Sequence, residues 1–242
     1  MDMNKKCTAI VLSAGRGKRM GTDKPKQYLE LCGKPVLYYS LKAFQDSFID
    51  EIVIVASKND FSYIKENIIG RYGITKASKI VEGGAERYDS VLCGLRAAGN
   101  CDYVFIHDGA RPFVDDAILR RAYETAQKHG TAIVSVPSKD TVKLLDDDGV
   151  CVDTPDRNRV WLMQTPQVFR YEEILAAYEK MAADTKSISG NTSPCRNGIT
   201  DDAMVMERYG SLPVYVSEGS YRNIKITTPE DMVIAEAFLN SR

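Results

Sequence analysis

The chain has 242 residues, and its 32 lysines and arginines are balanced by 33 aspartates and glutamates, which gives a formal net charge of −1. A dedicated nucleic-acid-binding protein would carry a basic excess, so this balance argues against a nucleic-acid partner. No apolar run approaches the roughly 18 residues of a membrane span, and the run at 7–12 is too short for a secretory signal. We therefore expect a cytoplasmic globular protein that does not bind membranes.

The cysteines and histidines show no metal-binding spacing. The nearest two of the six cysteines, Cys93 and Cys101, are eight positions apart, and the chain has only two histidines, His107 and His129. A structural zinc site needs such residues in close pairs, so the sequence argues against one. In a cytosolic protein of this size we expect all six cysteines to be free thiols.

Strands and helices are predicted to alternate along the first half of the chain. Short continuous apolar runs predict buried strands at 7–12, 51–56, 79–81, 103–107 and 132–136. Apolar residues spaced three and four apart predict helices at 35–44, 59–69, 88–98 and 115–129. Buried strands separated by helices indicate an α/β fold, with a mostly parallel sheet covered by helices on both faces.

Two stretches interrupt this alternation. Residues 140–154 contain two polar-alternating segments around Asp-Asp-Asp-Gly, which predicts a β-hairpin. No helix is available to cover it, so we expect a projecting arm, placed at 139–155. Residues 183–198 are rich in Ser, Asn, Thr and Gly and predict a surface loop. Neither stretch is typical of a linker, and we predict a single domain over 1–242.

The loop after the first strand is the first candidate for binding chemistry. It carries three glycines, Gly15, Gly17 and Gly21, together with Lys18, Arg19 and the nearby Lys24 and Lys26. Glycines let backbone N–H groups approach a ligand, and the fixed positive charges suit a polyphosphate. The loop matches neither the Walker A pattern nor a complete GxGxxG pattern. A solvated basic turn is the alternative interpretation.

Eight motifs taken together resemble the 2-C-methyl-D-erythritol 4-phosphate cytidylyltransferases, nucleotidyltransferases of alditol phosphates built on a Rossmann-like sheet. The resemblance extends from about residue 7 to residue 240. In chain order the motifs are AGRGKRM at 14–20 with KPKQ at 24–27, GGAERYDSV at 83–91, HDGARP at 107–112, DTVK at 140–143, TPDR at 154–157, QTPQ at 164–167, TDDA at 200–203 and NIKIT at 223–227.

The resemblance implies a reaction and its chemistry. CMP would pass from CTP to 2-C-methyl-D-erythritol 4-phosphate, giving 4-diphosphocytidyl-2-C-methyl-D-erythritol and pyrophosphate in non-mevalonate isoprenoid precursor synthesis. The attacking phosphate oxygen is already anionic near neutral pH, so catalysis needs positioning and charge neutralisation rather than a strong base. By the same resemblance, Arg19 and Lys26 stabilise the pentavalent transition state.

The resemblance also assigns binding residues. For CTP it points to Ser13, Ala14, Gly15, Gly17, Gly84, Ala85, Ser90, Asp108 and Gly109. For the acceptor it points to Thr141, Arg157, Thr165, Lys225 and Arg111. Thr141 and Thr165 would supply hydroxyl donors, and Arg157 and Lys225 cations. Asp108 ends an apolar strand, where ligands of parallel sheets bind, and one carboxylate there suits Mg²⁺ beside a triphosphate.

The resemblance further implies a homodimer. In the family, the arm that carries the positions of Thr141 and Arg157 crosses to the partner subunit. The predicted hairpin agrees with this arrangement, because a lone hairpin is marginal in water and needs a surface to pack on.

Several alternatives stay open at this stage. Ribitol-5-phosphate cytidylyltransferases share the CTP site, although the TPDR segment and Trp161 favour methylerythritol phosphate. A nicotinamide-dependent oxidoreductase would need the third glycine of the GxGxxG pattern, where this chain has Met20. A non-catalytic module would not need the cations of the loop. Lys225, expected in a short strand, and Arg157, next to Asp156, could be structural. The segment 185–198 is longer than the family's loop and is either a surface insertion or a flap.

Overall fold

A computed structural model describes residues 5–15, 24–186 and 198–241, with the backbone alone for 185 and 186. The strands are β1 (Cys7–Ser13), β2 (Glu30–Leu31), β3 (Lys34–Pro35), β4 (Glu51–Ala56), β5 (Ala77–Glu82), β6 (Tyr103–Asp108), β7 (Thr131–Pro137), β8 (Leu144–Leu145), β9 (Cys151–Asp153), β10 (Trp161–Arg170) and β11 (Val216–Glu218). The helices are α1 (Val36–Gln45), α2 (Phe61–Tyr63), α3 (Arg87–Ala98), α4 (Asp116–His129), α5 (Tyr171–Lys186), α6 (Asp202–Tyr209) and α7 (Pro229–Asn240). None of the helices in these ranges is long and apolar enough to span a membrane.

Seven strands form the central sheet in the order β11-β7-β10-β6-β1-β4-β5. The pairs β6-β1, β1-β4, β4-β5 and β11-β7 are parallel, and β10 runs antiparallel to both β6 and β7. The predicted α/β class and mostly parallel sheet are therefore confirmed. The register of β10 against β7 shifts between Met163 and Gln167. Such irregularities re-aim side chains, and this one lies beside the candidate site.

Side-chain alternation along β1 divides the core between the two faces of the sheet. Ala9 and Val11 face one side, where they join a cluster with residues of α1 and α4, and Ile10 joins the opposite cluster with residues of α3, α5 and α6. Period-two alternation requires this split, because successive side chains of a strand point to opposite faces. Helices thus cover both faces, and the sheet edge at the carboxyl ends of the parallel strands is left to bind ligands.

Local sequence signals account for the predicted helices. In α4, the Asp115 carboxylate accepts a hydrogen bond of 2.8 Å from the Ile118 N–H, and Gly130 ends the helix in a left-handed conformation with φ 84°. An aspartate before a helix and a glycine after it are its usual boundaries. The helix predicted at 59–69 differs in type, because after α2 the chain continues as a π-helical segment, Ile64–Gly70.

Three expectations on the less regular segments have different outcomes. The strands β8 and β9 pair as an antiparallel hairpin within 140–154, and both are exposed to solvent. The short strand expected around Lys225 is wrong, because residues 223–227 have no regular secondary structure and lie outside the sheet. Residues 183–186 of the loop predicted at 183–198 belong to α5 instead. The segment 187–197 lies outside the described residues, and the question of a flap at 185–198 does too.

The cysteines agree with the absence of disulfides as far as the structure describes them. Cys7, Cys32, Cys93, Cys101 and Cys151 are all free thiols. Burial raises the pKa of Cys101 to about 11 and that of Cys7 to about 12, so neither is a thiolate near neutral pH. Cys195 lies outside the described residues.

Candidate active site

A cleft of about 420 Å³ opens at the carboxyl ends of the parallel strands. In the described part of the chain, its walls are the end of β1 with the residues after it, the turn between β5 and α3, the end of β6, and the segments around Lys26 and Lys225. Its lining includes Ser13, Ala14, Gly15, Gln27, Gly84, Ala85, Glu86, Arg87, Ser90, Asp108, Ala110 and Thr227. Open parallel sheets bind their ligands at this edge.

The turn between β5 and α3 is organised by its own hydrogen bonds. The Gly84 N–H donates to Ser90 Oγ at 3.1 Å, and that hydroxyl donates to the Glu86 carbonyl, also at 3.1 Å. Glu86 and Asp89 form a reciprocal capping box at the start of α3. A Cβ atom at position 83 would lie 2.6 Å from the Ala14 Cβ, so only glycine allows the turn to approach the first loop this closely.

The segment 223–227 brings Lys225 into the cleft. Ile226 is fully buried, its N–H donates to the Ala110 carbonyl at 2.9 Å, and its carbonyl accepts from Lys26 Nζ at 2.7 Å. The Asp231 carboxylate accepts from the Thr227 N–H at 2.8 Å at the start of α7. The anchored Ile226 therefore positions Lys225 without a strand.

A second pocket of about 250 Å³ adjoins the cleft and shares Arg87, Asp108 and Lys225 with it. The rest of its lining is mostly polar. These residues are Arg111, Met163, Gln164, Thr165, Gln167, Thr200 and Asp201. The shared residues form a charged wall between two cavities, so ligands in the two cavities would lie next to each other.

Asp108 is the acidic centre of this wall. Lys225 Nζ lies 2.6 Å from one carboxylate oxygen, and Arg87 Nε lies 3.3 Å from the other. Burial by itself would raise the pKa of Asp108, but the charges of Arg87, Lys225 and Arg111 outweigh it and hold the pKa well below its usual range. Asp108 is therefore ionised throughout the physiological pH range.

His107 and Thr165 form a hydrogen-bond chain behind Asp108. His107 Nε2 lies 3.1 Å from the Arg111 carbonyl, which can only accept, so Nε2 carries the proton and Nδ1 is an acceptor. The Thr165 hydroxyl therefore donates to Nδ1 at 3.1 Å and accepts from the Asp108 N–H at 3.1 Å. In this arrangement the proton of the Thr165 hydroxyl is engaged by His107, and the predicted contact of Thr165 with the acceptor stays a prediction.

His107 is expected to make stability depend on pH. Burial lowers its pKa to about 4, whereas a histidine of the unfolded chain titrates near pH 6.5. Between these values the unfolded state binds more protons, so stability falls as pH drops through this window, by about 2 kcal/mol at pH 5. Urea unfolding at about pH 7.5 and pH 5 should show this loss in the wild type and a smaller one in His107→Asn. Equal losses would contradict a buried neutral His107.

The predicted site residues do not all lie in the two cavities. In the cleft lie Ser13, Ala14, Gly15, Lys26, Gly84, Ala85, Ser90, Asp108 and Lys225. In the second pocket lie Thr165, Arg111, Asp108 and Lys225. Thr141 and Arg157 are exposed and line neither cavity of their own chain. Gly17 and Arg19 lie outside the described residues.

Gly109 is buried behind the cleft rather than in its lining, where Ala110 takes its place. Its N–H donates to the Leu12 carbonyl at 2.9 Å. A Cβ at position 109 would lie 2.8 Å from Leu37 Cδ1 and 2.9 Å from that same carbonyl oxygen. The expected direct contact of Gly109 with CTP is therefore not supported, because the residue packs against β1 and α1.

Two site residues were not assigned a role from the sequence. Arg87 donates to both carboxylate oxygens of Asp202, a residue 115 positions away, at 2.9 and 2.7 Å. Both residues belong to recognised motifs, GGAERYDSV and TDDA, but no spacing along the chain indicates that they pair.

Comparison with known proteins decides the family. Residues 7–241 match the family model IspD, described as 2-C-methyl-D-erythritol 4-phosphate cytidylyltransferase. The chain belongs to this cytidylyltransferase family. It is 47% identical to the family's protein from Lachnoclostridium phytofermentans, over 97% of this chain and 96% of that one. It is 46% identical to the one from Lachnospira eligens, over 96% of this chain and 98% of that one.

Solved structures of cytidylyltransferases agree with this assignment. The crystal structure of 4-diphosphocytidyl-2C-methyl-D-erythritol synthase from Anaerococcus prevotii is similar, with a TM-score of 0.80 and 34% identity. The match covers 98% of this chain and 96% of that chain. The predicted family, fold and enzyme class are confirmed, and methylerythritol phosphate is favoured over ribitol phosphate as the acceptor.

The cytidylyltransferase cleft fits a divalent cation only when substrate phosphate oxygens supply some of its ligands. Within the described ranges, no three Asp, Glu, His or Cys residues come together as a metal site. The described lining of the cleft holds two carboxylates: Glu86 is engaged in capping α3, whereas Asp108 stands ionised at the wall between the cavities. Mg²⁺ commonly binds through one or two carboxylates together with phosphate oxygens and water, so this arrangement suits a cation that arrives with a triphosphate.

Proposed function

We propose that the cleft binds CTP, that the adjoining pocket binds the acceptor, and that the charged wall between them is where the phosphoryl bond is exchanged. The protein transfers CMP from CTP to 2-C-methyl-D-erythritol 4-phosphate and releases pyrophosphate, in isoprenoid precursor synthesis. The observation that supports the placement is the shared wall of Arg87, Asp108 and Lys225. A transfer between two bound substrates requires adjacent cavities of this kind.

The nucleotide end of the cleft has the groups that a cytidine triphosphate needs. Backbone groups of Gly84 and Ala85, with Ser90, would read the base, because the capped turn holds them in place before ligand binding. Ser13, Ala14 and Gly15 would face the phosphates, where glycine permits close approach. Gly17 would continue this loop.

Lys26 would neutralise charge on the α-phosphate together with Arg19. Its ammonium lies at the cleft wall 2.7 Å from the Ile226 carbonyl. Charge that develops on the pentavalent phosphorus would then meet a positioned cation rather than water. The acceptor phosphate is already an anion, and His107 is buried and neutral, so no side-chain base takes part in our scheme.

The acceptor pocket offers cations for a phosphomonoester. Lys225 lies at the shared wall, and the Arg111 guanidinium donates to the Asn223 carbonyl at 2.8 Å. Arg111 would contribute its positive charge, because its Nε is fully buried and has no hydrogen-bond partner among the described residues. Thr165 would accept from an acceptor hydroxyl with its remaining lone pair rather than donate to the phosphate.

Asp108 would hold Mg²⁺ together with CTP phosphate oxygens. The bound cation would supply charge neutralisation for the triphosphate. The contribution of this chain is an ionised carboxylate, kept unprotonated by Arg87 and Lys225 at the wall between the cavities.

A homodimer with exchanged arms would complete the site. The hairpin exposes Leu144 (48%), Leu145 (59%), Val150 (59%) and Val152 (61%), which is unusual for a segment left in water. Thr141, near the start of the 139–155 arm, and Arg157, two residues after its end, line neither the cleft nor the adjoining pocket of their own chain. A two-fold dimer would cover the apolar residues and bring both side chains to the partner's acceptor pocket. We place this single-domain enzyme in the cytoplasm.

A pyrophosphate-release assay with CTP and Mg²⁺ tests the proposed acceptor. We expect turnover with methylerythritol phosphate and at least about a 100-fold lower kcat/KM with ribitol 5-phosphate, because the pocket groups would be imperfectly paired. Equal kcat/KM values for the two alditol phosphates would contradict the assignment.

A further inference from the structure

We propose that Arg87 is a positioning residue of the transfer reaction: it orients the Asp108 carboxylate at the wall between the two cavities, while Asp202 and Tyr178 hold its guanidinium still. The inference rests on the proposed roles of the cleft and the adjoining pocket, and it adds a residue that acts through Asp108 rather than on the substrates.

The hydrogen bonds that hold the Arg87 guanidinium form a rigid network around Asp202. Asp202 is fully buried and receives both terminal nitrogens of the guanidinium, at 2.9 and 2.7 Å. The Tyr178 hydroxyl donates to the same carboxylate at 2.6 Å. The backbone N–H of Asp202 donates to the Gln167 side-chain oxygen at 2.9 Å. These contacts fix the position and orientation of the Asp202 carboxylate, and the carboxylate in turn fixes the plane of the Arg87 guanidinium.

Because the guanidinium plane of Arg87 is fixed, the direction of its third nitrogen, Nε, is fixed too. Arg87 Nε points to one oxygen of Asp108 at 3.3 Å, while Lys225 takes the other oxygen at 2.6 Å. Asp108 is thus held between a fixed donor and a lysine that also faces the acceptor pocket. A lysine at position 87 would keep the positive charge but could not bridge two carboxylates with fork geometry.

A second bidentate ion pair of α3 is exposed and lies away from both cavities. Arg96 on α3 donates to both oxygens of Glu179 on α5, each at 2.8 Å, and lines neither cavity. Both pairs join α3 to the neighbouring helices by a bidentate contact, but the Arg87 pair alone reaches Asp108. Buried ion pairs are weak evidence for stability in themselves, so the location of this one needs another explanation.

The test compares Arg87→Lys, Arg87→Gln, Asp202→Asn and the double variant Arg87→Gln with Asp202→Asn. Arg96→Lys, at the exposed ion pair of the same helix, is the control for the substitution itself. The double variant leaves no unpaired buried charge, which protects folding. For each protein we would measure the urea unfolding midpoint, kcat with both substrates, and the Kd of CTP by calorimetry. The wild-type assay tests the proposed function separately, because it does not depend on these variants.

We expect Arg87→Lys and Arg87→Gln to lower kcat about 10- to 100-fold, as a small misplacement of a reacting group does. The Kd of CTP should stay within about threefold, and Arg96→Lys should match the wild type. Because Asp202 acts through Arg87, the double variant should have the kcat of Arg87→Gln alone.

Three results would overturn the proposal. A double variant that recovers the wild-type kcat would show that only net charge matters. A double variant whose loss is the product of the two single losses would show that Asp202 acts independently of Arg87. A folded Arg87→Lys protein with unchanged kcat, or with its main loss in CTP affinity, would make Arg87 structural or a nucleotide ligand.

Discussion

Replacing Lys26 with alanine is expected to lower kcat about 100- to 1000-fold, the effect of removing one positioned charge from a transition state. The KM for CTP should change much less, because an interaction made mainly in the transition state adds little to substrate binding. The Lys26 ammonium lies at the cleft wall, 2.7 Å from the Ile226 carbonyl, so a preset position supports this role. Steady-state kinetics with CTP and methylerythritol phosphate measures both constants.

Lys24→Ala is the matched control for this variant. Lys24 lies two positions earlier, is exposed to solvent and does not line the cleft. Its replacement should leave kcat within about twofold of the wild type, as surface substitutions usually do. If Lys26→Ala changes only the KM for CTP, Lys26 is a binding residue and its transition-state role is wrong.

Mixing two inactive variants is expected to restore activity if the arms are exchanged. In a mixed dimer of Arg19→Ala and Arg157→Ala subunits, one site carries both lesions and the other carries neither. Random exchange at equal amounts makes about half of the dimers mixed, so activity should recover to about a quarter of the wild-type value. Pyrophosphate release before and after subunit exchange measures the recovery.

A mixture of Arg19→Ala with Lys26→Ala provides the control. Both residues are proposed to serve their own subunit, so every site in this mixture carries a lesion and no recovery is expected. Subunit exchange can be followed by mass spectrometry of the intact dimers. If exchange is complete and the Arg157→Ala mixture stays inactive, Arg157 acts within its own chain and the crossed arm is wrong.

The sequence predicts best those features that depend on a single short segment of the chain. The apolar run of β1 and the Asp115 and Gly130 boundaries of α4 depend on local periodicity and capping, and both were predicted. The cleft wall after β1 and the turn at Gly84 also follow from local motifs. A parallel sheet then gathers these loops at one edge, because every strand of this kind ends there.

What could not be predicted depends on contacts between distant segments. Arg87 and Asp202 are 115 positions apart, and no pattern along the chain indicates a bidentate pair between them. The proton of the Thr165 hydroxyl is assigned only by the neighbouring His107 and the Arg111 carbonyl. Lys225 was expected in a strand because NIKI alternates, but its segment is held by the buried Ile226 instead.

The measurement that tests the two-cavity account most directly is calorimetric titration of Lys225→Ala with each substrate. Lys225 is proposed to hold the acceptor phosphate, whereas CTP is held mainly by the first loop and the capped turn at Gly84. We predict that the variant binds CTP within about threefold of the wild-type Kd and binds methylerythritol phosphate at least about 30-fold more weakly, since a charge-assisted contact is lost. An equally large loss for CTP would place Lys225 in the nucleotide site and contradict the division of the two cavities.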